Sequence, residues 1–475
     1  MKKYLTIVMA LVAVLVVISM VPLAGQGAAQ GQGARGQGQG GGRGQGGGQG
    51  AAQPQVILPS APTAVALPTM SAEITGPGPI FDSAPSLQTG KGLAEMGYEA
   101  KEYFISGTAN GQPYKTRIVV RKPRDNSRFS GLVLAESMHG SGAGHMFEYT
   151  STYTMASGHG ALEILTTAPM QFVTQNAERY RDLQIAGGQA NEIIAQAGAL
   201  AKSGALFGAP VRKMVMAGTS MSAGTLINYL PAHMVYRTPQ MQRIMDGFMP
   251  TSNGATIQDI DVPIVHIPTM HEVTGNITRR QDSDEAGKQY RVYEFAGMSH
   301  IDTRFNVRVQ PNPCMQPQSA FPLQAYMAVG LNHLFNWVDK GIVPPRAERV
   351  WLDLNEEGDG SMMVLDELGN PRGGIRNPYV DFATVKFVPR NTAATPLIAN
   401  PSAYIAARGD AAANQMCSLG SYALAVPQAK LKELYKNKAN YVSMVTKRVT
   451  EFEKAGWSLP VYRELILADA AKVNF

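Results

Sequence analysis

One serine of this chain lies in a short pattern that is typical of an activated nucleophile. Residues 218–224 read Gly-Thr-Ser-Met-Ser-Ala-Gly, between an apolar stretch and a segment with helical character. Small residues two positions before and after a serine permit a sharp strand-to-helix turn, the G-x-S-x-G elbow. We therefore predict Ser220 as the nucleophile, with Ser222 standing where the second glycine is usual. Ser222 itself is the rival serine, but the residue two positions before it is not glycine.

A nucleophilic serine needs a base, and in the usual order an acid and then a histidine follow it. The histidines after the serine are His233, His266, His271, His300 and His333. His233 comes too early for an acid to precede it, whereas His266 and His333 lie inside a predicted strand and a predicted helix. His300 follows a predicted strand through a Gly-containing loop, where sites of open α/β sheets are built. His300 is the predicted base, and His271 is the other candidate.

The base in turn needs a carboxylate that orients it. Glu272 follows the predicted strand 264–267 and its terminal proline, and this loop lies directly before the strand that leads to His300. We predict that Glu272 is this acid. Asp282, Asp284 and Asp302 are its rivals, and a surface carboxylate is the plain alternative.

Backbone N–H groups are expected to stabilise the oxyanion that forms when a serine attacks an acyl carbon. The Met221 N–H opens the helix after the elbow, so it is the first predicted donor. A second donor usually lies in the loop after an earlier strand. Here that loop reads Glu-Ser-Met-His-Gly-Ser-Gly over residues 136–142, and Met138 is the predicted donor within the span Ser137 to His139. The alternative is a Gly-rich surface loop.

The elements that would position these residues alternate between strands and helices. Apolar or alternating stretches predict strands at 103–105, 116–121, 131–135, 161–167, 213–217, 247–249, 264–267 and 291–295. Helices are predicted at 189–203, 223–230 and 324–338. Because several strands are apolar on both faces, the fold class is α/β, with a mainly parallel sheet flanked by helices.

Changes in composition divide the chain into four parts. Residues 1–24 combine a short basic start with the apolar run 5–24, and residues 25–55 are rich in Gly and Gln. The second part is expected to be a flexible linker, because it cannot bury apolar surface. Residues 56–345 form the predicted catalytic core. Residues 346–475 form a predicted C-terminal accessory region that packs on the core and contributes a cap or rim.

The N-terminal run has the layout of an export signal. It is longer than the apolar part of most signal peptides, about 7–15 residues, and approaches the roughly 20 residues that span a bilayer. A cleaved signal peptide and a retained anchor therefore both stay open. In either case the protein is expected outside the cytoplasm, in the periplasm or beyond.

Charge and cysteine content exclude some classes of partner and cofactor. The formal net charge is +6, without a dense run of Lys and Arg, so no nucleic-acid partner is expected. The two cysteines, Cys314 and Cys417, are too few for a structural zinc site. An exported protein can keep a disulfide, so the two form either a bond or a pair of buried thiols.

Several motifs resemble an alpha/beta hydrolase domain family of large, mostly bacterial and often exported proteins. The likeness extends over about residues 95–475 and rests on segments 98–107, 113–117, 218–223, 279–284, 296–302, 373–381 and 417–421. The resemblance implies an α/β-hydrolase fold with Ser220 and His300 as catalytic residues. The chain departs from the family where Glu272 replaces the usual Asp. It departs again where Ser137-Met138-His139 replaces an oxyanion loop with Trp and Asn.

Together these features predict a carboxylic-ester hydrolase that works through an acyl-enzyme, without metal or organic cofactor. The expected substrate is a small-molecule or polymer-derived ester, and a membrane would be touched only through an uncleaved N-terminal anchor. One alternative is a non-catalytic binding protein on a hydrolase scaffold. Another is a peptidase or amidase with the same three side chains.

Overall fold

The computed structural model describes most of the chain beyond residue 57. The described residues are 58–87, 91–167, 170–274, 280–301, 303–304, 311–354, 361–398, 400–401, 403–406 and 409–475. The predicted export segment and the Gly/Gln-rich linker lie outside these residues, as does Asp302.

The strands of the described residues run from the N-terminal segment into the C-terminal region. They are β1 (Thr63–Ala64), β2 (Thr69–Met70), β3 (Tyr98–Ala109), β4 (Gln112–Pro123), β5 (Leu132–Ser137), β6 (Gly160–Ile164), β7 (Lys213–Thr219), β8 (Tyr236–Arg237), β9 (Gly247–Thr251), β10 (Ile264–His266), β11 (Tyr290–Val292), β12 (Leu352–Leu354), β13 (Ser361–Met363), β14 (Val385–Val388) and β15 (Tyr422–Ala425).

The helices of the described residues alternate with these strands and become frequent towards the C-terminus. They are α1 (His145–Ala156), α2 (Met170–Gln175), α3 (Ala177–Tyr180), α4 (Ala190–Lys202), α5 (Met221–Val235), α6 (Met270–Val273), α7 (Leu323–Lys340), α8 (Pro378–Asp381), α9 (Ala403–Ala406), α10 (Gly409–Leu419), α11 (Gln428–Tyr435), α12 (Lys438–Lys454) and α13 (Arg463–Lys472). Within the described part of the chain, no helix is both long and apolar enough to cross a membrane.

The central sheet is mainly parallel, which confirms the predicted fold class. Among the described residues it has nine strands, in the order β11-β10-β9-β7-β5-β6-β4-β3-β2. The six strands from β11 to β6 pair in parallel, and β4, β3 and β2 extend the sheet in antiparallel fashion. The carboxyl ends of the parallel strands therefore lie along one edge of the sheet, where ligand sites of α/β proteins form.

Both faces of the parallel part are covered by helices. Along β5 and β7, Val133 and Met214 join the apolar cluster formed with α4 and α5. Their neighbours Leu134 and Val215 join the cluster formed with α1 and α7 on the opposite face. Successive side chains of a strand point to opposite faces, so a strand buried on both faces is apolar at every position.

The antiparallel end of the sheet contains a long hairpin. Strands β3 and β4 pair over their whole length, from Tyr98 with Pro123 to Ala109 with Gln112. The turn residues Asn110 and Gly111 have φ angles of 49° and 70°. A type I′ turn requires positive φ at both central residues, which explains why Asn-Gly stands there.

The C-terminal region packs against the core instead of standing apart from it. Phe387, Phe452 and Tyr462 belong to the same apolar cluster as Tyr326 of α7. Helices α11 to α13 also bury a smaller cluster of their own, which includes Tyr441. Ala393, Met416 and Cys417 of this region pack against Ile301, in the loop that follows β11.

Candidate active site

The elbow after β7 holds Ser220 in a strained backbone conformation. Its φ and ψ are 53° and −116°, in a region that non-glycine residues rarely adopt. The Ser220 N–H donates to the Thr251 carbonyl at 3.1 Å, and its carbonyl accepts from the Gly224 N–H at 3.0 Å. A side chain at Gly218 would place its Cβ 2.6 Å from the Ser222 backbone, so glycine is required there. These constraints produce the sharp strand-to-helix turn that the sequence pattern predicts.

The rival serine, Ser222, has its hydroxyl fully engaged. The side chain is 1% exposed. Its Oγ accepts from the Thr219 N–H at 2.9 Å and donates to the Thr219 carbonyl, also at 2.9 Å. A hydroxyl held in this way closes the turn of the elbow and points away from solvent, whereas Ser220 is partly exposed.

Glu272 and His300 form a buried hydrogen-bonded pair. The Nδ1 atom of His300 lies 2.6 Å from Oε1 of Glu272, and the two residues, His300 and Glu272, are 7% and 9% exposed. The second carboxylate oxygen accepts from the N–H of Thr269 at 2.9 Å and from its hydroxyl at 2.5 Å. Burial alone would raise the pKa of Glu272, but the His300 ring and these hydrogen bonds outweigh it and lower this pKa to about 2.

The loops that carry Ser220, Glu272 and His300 meet at the carboxyl edge of the sheet. Strand β7 pairs with β9 up to Thr219 and Thr251, and β9 is followed by Asn253, whose side chain donates to the Ser220 carbonyl at 3.2 Å. The loop after β10 is tied to the loop of the histidine by a 3.0 Å bond from the Met270 N–H to the Met298 carbonyl. Among the described residues, however, the Ser220 hydroxyl has no hydrogen-bond partner.

The other histidines after the elbow have partners elsewhere. His266 bonds the Tyr290 hydroxyl at 2.7 Å and the Asn253 carbonyl at 2.8 Å, so both its nitrogens are used. His233 bonds Asp261 at 2.9 Å, and His333 bonds the Gly456 carbonyl at 2.9 Å. His271 lies beside His300, with ring centroids 5.7 Å apart and the rings nearly perpendicular.

The rival acids among the described residues, Asp282 and Asp284, bind other groups than His300. Asp282 accepts from the Val292 N–H at 3.0 Å. Asp284 pairs with Arg291 and, at 2.8 Å, with Arg346. Neither carboxylate has a hydrogen bond to His300 within the described part of the chain.

The structure of the loop after β5 contradicts the prediction that the Met138 N–H is an oxyanion donor. The Met138 N–H donates to the Ile164 carbonyl at 2.9 Å, as part of the pairing between β5 and β6, so it is not available to an oxyanion. The His139 N–H is also engaged, with the Ala143 carbonyl at 2.9 Å. The next residue, Gly140, has no acceptor for its N–H among the described residues. A Cβ on Gly140 would lie 2.7 Å from Cε of Met221, so this glycine is in contact with the elbow.

Four polar side chains that the sequence analysis does not single out form a hydrogen-bonded series, here called the polar series, that supports this loop: His139, Ser141, His145 and Glu148. His139 Nδ1 lies 2.8 Å from the Ser141 hydroxyl, which lies 3.3 Å from Nε2 of His145. His145 Nδ1 is 3.0 Å from the carboxylate of Glu148, a buried side chain that also accepts from the Ser86 N–H at 3.0 Å. No helix is predicted from the sequence at His145–Ala156, so no pattern in the sequence indicated this group of side chains.

The two cysteines form a disulfide, with the α-carbons of Cys314 and Cys417 5.6 Å apart. Of the two arrangements left open by the sequence, the structure contains the bonded one. Within the described ranges, no group of three or more His, Cys, Asp or Glu side chains is arranged to hold a metal ion.

Comparison with solved structures finds partial similarity to several esterases. A cold-adapted esterase from an Arctic intertidal metagenomic library is 12% identical, with 41% of this chain and 83% of that chain covered and a TM-score of 0.24. Esterase Est22 is 11% identical, with coverages of 36% and 64% and a TM-score of 0.26, so the match spans less than two thirds of its length. A ligand complex of a mutant of esterase rPPE is 13% identical, with coverages of 51% and 84% and a TM-score of 0.32.

Comparison with protein families gives a match over most of the chain. No curated protein matches the sequence. The family model described as alpha/beta hydrolase domain, in contrast, matches residues 64–468, which include the elbow, the Glu272–His300 pair and most of the C-terminal region. This extent agrees with the likeness seen in the sequence motifs. The chain therefore belongs to this alpha/beta hydrolase domain family.

Proposed function

We propose that this chain is an exported serine hydrolase that cleaves carboxylic esters. Ser220 is the nucleophile, His300 the general base and Glu272 the carboxylate that orients the base. One observation carries the proposal: a buried Glu272–His300 hydrogen bond of 2.6 Å lies at the sheet edge where the elbow displays Ser220. A nucleophile after β7, an orienting acid after β10 and a base after β11, all at one edge of the sheet, form the arrangement used for acyl transfer.

The pairing with Glu272 fixes which nitrogen of His300 does the chemistry. Because Nδ1 faces the carboxylate, Nε2 is the atom that takes the serine proton. Glu272 stays ionised at neutral pH, since its pKa is lowered to about 2. It therefore stabilises the imidazolium that forms when His300 accepts a proton.

The reaction proceeds through an acyl-enzyme. Ser220 Oγ rotates towards Nε2 of His300 and attacks the ester carbonyl while His300 takes its proton. The carbonyl–oxygen bond to the alcohol then breaks, and His300 returns the proton to the leaving oxygen. Water, activated by His300, attacks the acyl-enzyme in the same way and releases the acid and Ser220.

Two backbone N–H groups are proposed to hold the oxyanion. Met221 supplies one from the start of α5, where the helix dipole also favours negative charge. Gly140 supplies the other in place of Met138. The contact between the Met221 side chain and Gly140 supports this pairing because it places the loop of Gly140 beside the elbow.

Export is proposed from two features of the sequence. The basic start and apolar run of residues 1–24 have the layout of an export signal. A disulfide between Cys314 and Cys417 suits an oxidising compartment, where such bonds persist. Residues 25–55 then serve as the linker between that signal and the catalytic body.

A matched set of substrates tests the function. Esters of increasing acyl length and their amide counterparts are incubated with the wild-type protein and with Ser220→Ala. We expect ester hydrolysis that exceeds amide hydrolysis, and a loss of at least about 10³-fold in kcat for the variant. Faster turnover of amides would indicate an amidase. Binding of esters without turnover would indicate a non-catalytic binding protein and contradict the proposal.

A further inference from the structure

The turn between β8 and β9 displays a methionine at its tip. Met241 is 52% exposed and has a φ of 60°, in the left-handed region that residues with a side chain rarely adopt. The turn is closed by bonds from the Met241 N–H to the Thr238 carbonyl at 2.8 Å and from the Thr238 N–H to the Gln242 carbonyl at 2.9 Å. The backbone therefore holds this apolar side chain out towards solvent.

A basic groove of about 550 Å³ lies beside this turn. Met241 lines the groove together with five cationic side chains: Lys202, Arg212, Lys213, Arg237 and Arg243. Among the described residues that line it, Asp246 is the one carboxylate. An apolar tip that is surrounded by cations is typical of a surface that binds at a membrane interface.

The cations around the groove outnumber the carboxylates that pair with them. Within the described part of the chain, three carboxylates pair with these five cations: Asp246, Asp261 and Asp339. Lys340, an exposed residue next to Asp339, adds a further positive charge. Arg243 stays accessible, with 52% of its side chain exposed. The groove therefore keeps an excess of positive charge, which attracts an anionic surface.

The groove lies at the opposite end of the sheet from the catalytic edge. Lys213 is the first residue of β7, and Ser220 follows the last residue of this strand of seven residues. At roughly 3.3 Å per residue, such a strand is roughly 20 Å long. A body that docks through the groove therefore leaves the proposed nucleophile facing away from the surface to which it docks.

The chain enters the described body beside the same groove. Strand β1 pairs in parallel with β8, with Ala64 opposite Arg237, and the Val65 N–H donates to the Arg237 carbonyl at 2.9 Å. The basic start and the apolar run 5–24 precede this point along the chain. An apolar run of about 20 residues is long enough to stay in a bilayer as an anchor. The side of the body where the chain arrives from this run is thus the side with the excess positive charge.

We propose that the basic groove and the Met241 turn form a docking surface for a membrane that contains anionic phospholipids. The cations contact the lipid phosphate groups, and Met241 enters the boundary between headgroups and acyl chains. The apolar run 5–24 is retained as the anchor that keeps this surface at the membrane, and the catalytic edge receives its substrate from solution. The inference rests on the proposed export and is independent of the proposed ester hydrolysis.

Amide hydrogen exchange of the full-length protein tests the proposal. The protein is reconstituted into vesicles of phosphatidylcholine alone, or with about 30% phosphatidylglycerol. The neutral vesicles control for the anchor, because an apolar run inserts into both. We expect exchange in residues 238–246 to slow by about 5-fold or more in the anionic vesicles and to recover in about 1 M salt. Exchange in residues 252–256, which follow β9 at the catalytic edge, should stay unchanged. Equal exchange of residues 238–246 in the two lipid mixtures would overturn the proposal.

Two paired substitutions show whether the turn itself makes the contact. Met241→Asn with Arg243→Gln removes the apolar tip and one cation, and asparagine tolerates the positive φ. The matched control is Met362→Asn with Arg372→Gln, which alters another exposed methionine and arginine in the C-terminal region. The first pair should abolish the difference between the lipid mixtures, and the second should leave it.

Two further outcomes would contradict docking to a membrane. One is a difference between the lipid mixtures that persists in Met241→Asn with Arg243→Gln. The other is a slowing of exchange that depends on protein concentration without lipid, since it would indicate a second copy of the chain as the partner. Ester turnover is measured separately on the same samples, so its absence would count against the proposed function alone.

Discussion

His300 and Glu272 are joined by a hydrogen bond of 2.6 Å between Nδ1 and Oε1, in a site where both side chains are buried. The carboxylate is itself fixed, because its other oxygen accepts from the N–H and the hydroxyl of Thr269. Thr269 and Glu272 form the capping box of α6, so the start of this short helix holds the acid in place. The orientation of the base therefore depends on a local helix cap as well as on the sheet.

Removing the charge of Glu272 should disable the base without disturbing the fold around it. Glu272→Gln keeps the shape but no longer favours the tautomer of His300 that has its proton on Nδ1. We expect kcat to fall by about 10³-fold or more, as such changes do in serine hydrolases. The matched control is Asp282→Asn, because Asp282 is a partly buried carboxylate that accepts from Val292 instead. Steady-state kinetics of both variants check this, and a comparable loss in the control would contradict the assignment.

The same carboxylate should make stability depend on pH in a defined window. Its folded pKa is about 2 and its ordinary value is 4.5, so the stabilisation is fully present above pH 4.5 and is lost as the pH falls towards 2. The shift corresponds to about 3 kcal/mol. The difference in the free energy of unfolding between wild type and Glu272→Gln, measured by denaturant titration from pH 7 to pH 3, should stay constant above about pH 5 and shrink between pH 4.5 and pH 3. A difference that stays constant with pH would contradict this prediction.

Ser222 should matter for stability and little for chemistry. Ser222→Ala removes the hydroxyl that bonds the N–H and the carbonyl of Thr219, and it leaves both groups buried. We expect the free energy of unfolding to fall by about 1–3 kcal/mol and kcat to stay within about 3-fold. Thermal or denaturant unfolding and ester kinetics on the same preparation measure both quantities. Abolished turnover with unchanged stability would move the nucleophile from Ser220 to Ser222.

The polar series formed by His139, Ser141, His145 and Glu148 should affect kcat more than KM. Ser141→Ala breaks the link between His139 and His145 and loosens the backbone at Gly140. The expected loss in kcat is about 10-fold, smaller than the roughly 10²–10³-fold seen when a donor is removed outright. Ser130→Ala is the control, because Ser130 also bonds a histidine, His159 at 2.8 Å, on another part of the sheet. An equal effect of the two substitutions on kcat would argue against a role for the polar series in catalysis.

Local patterns explain why the strands and turns that carry the proposed site could be predicted from sequence. The elbow requires Gly218, and the short parallel strands are apolar on both faces, so Ser220 and His300 follow from reading one segment at a time. The capping box at Glu272 is also local, although the sequence pattern predicts only a loop there. The family match over residues 64–468 agrees with the predicted fold class.

What could not be predicted depends on contacts between distant segments. The Met138 N–H is taken by the Ile164 carbonyl of a neighbouring strand, which no local pattern reveals. Helix α1 is missing from the predicted elements because its polar and apolar residues are not separated onto two faces, since Glu148 and Thr150 are buried beside Met146 and Phe147. The bond from the Met270 N–H to the Met298 carbonyl likewise joins two separate loops, through a fold that only the structure provides.

The central claim is that Ser220 is an activated nucleophile. The most direct measurement treats the purified protein with a fluorophosphonate probe, beside Ser220→Ala, and maps the labelled peptide by mass spectrometry. A fluorophosphonate reacts with a serine whose hydroxyl is activated by a base, so labelling does not depend on the unknown ester. We predict stoichiometric labelling at Ser220 and none in the variant. Labelling at Ser222, or no labelling of folded protein, would contradict the claim.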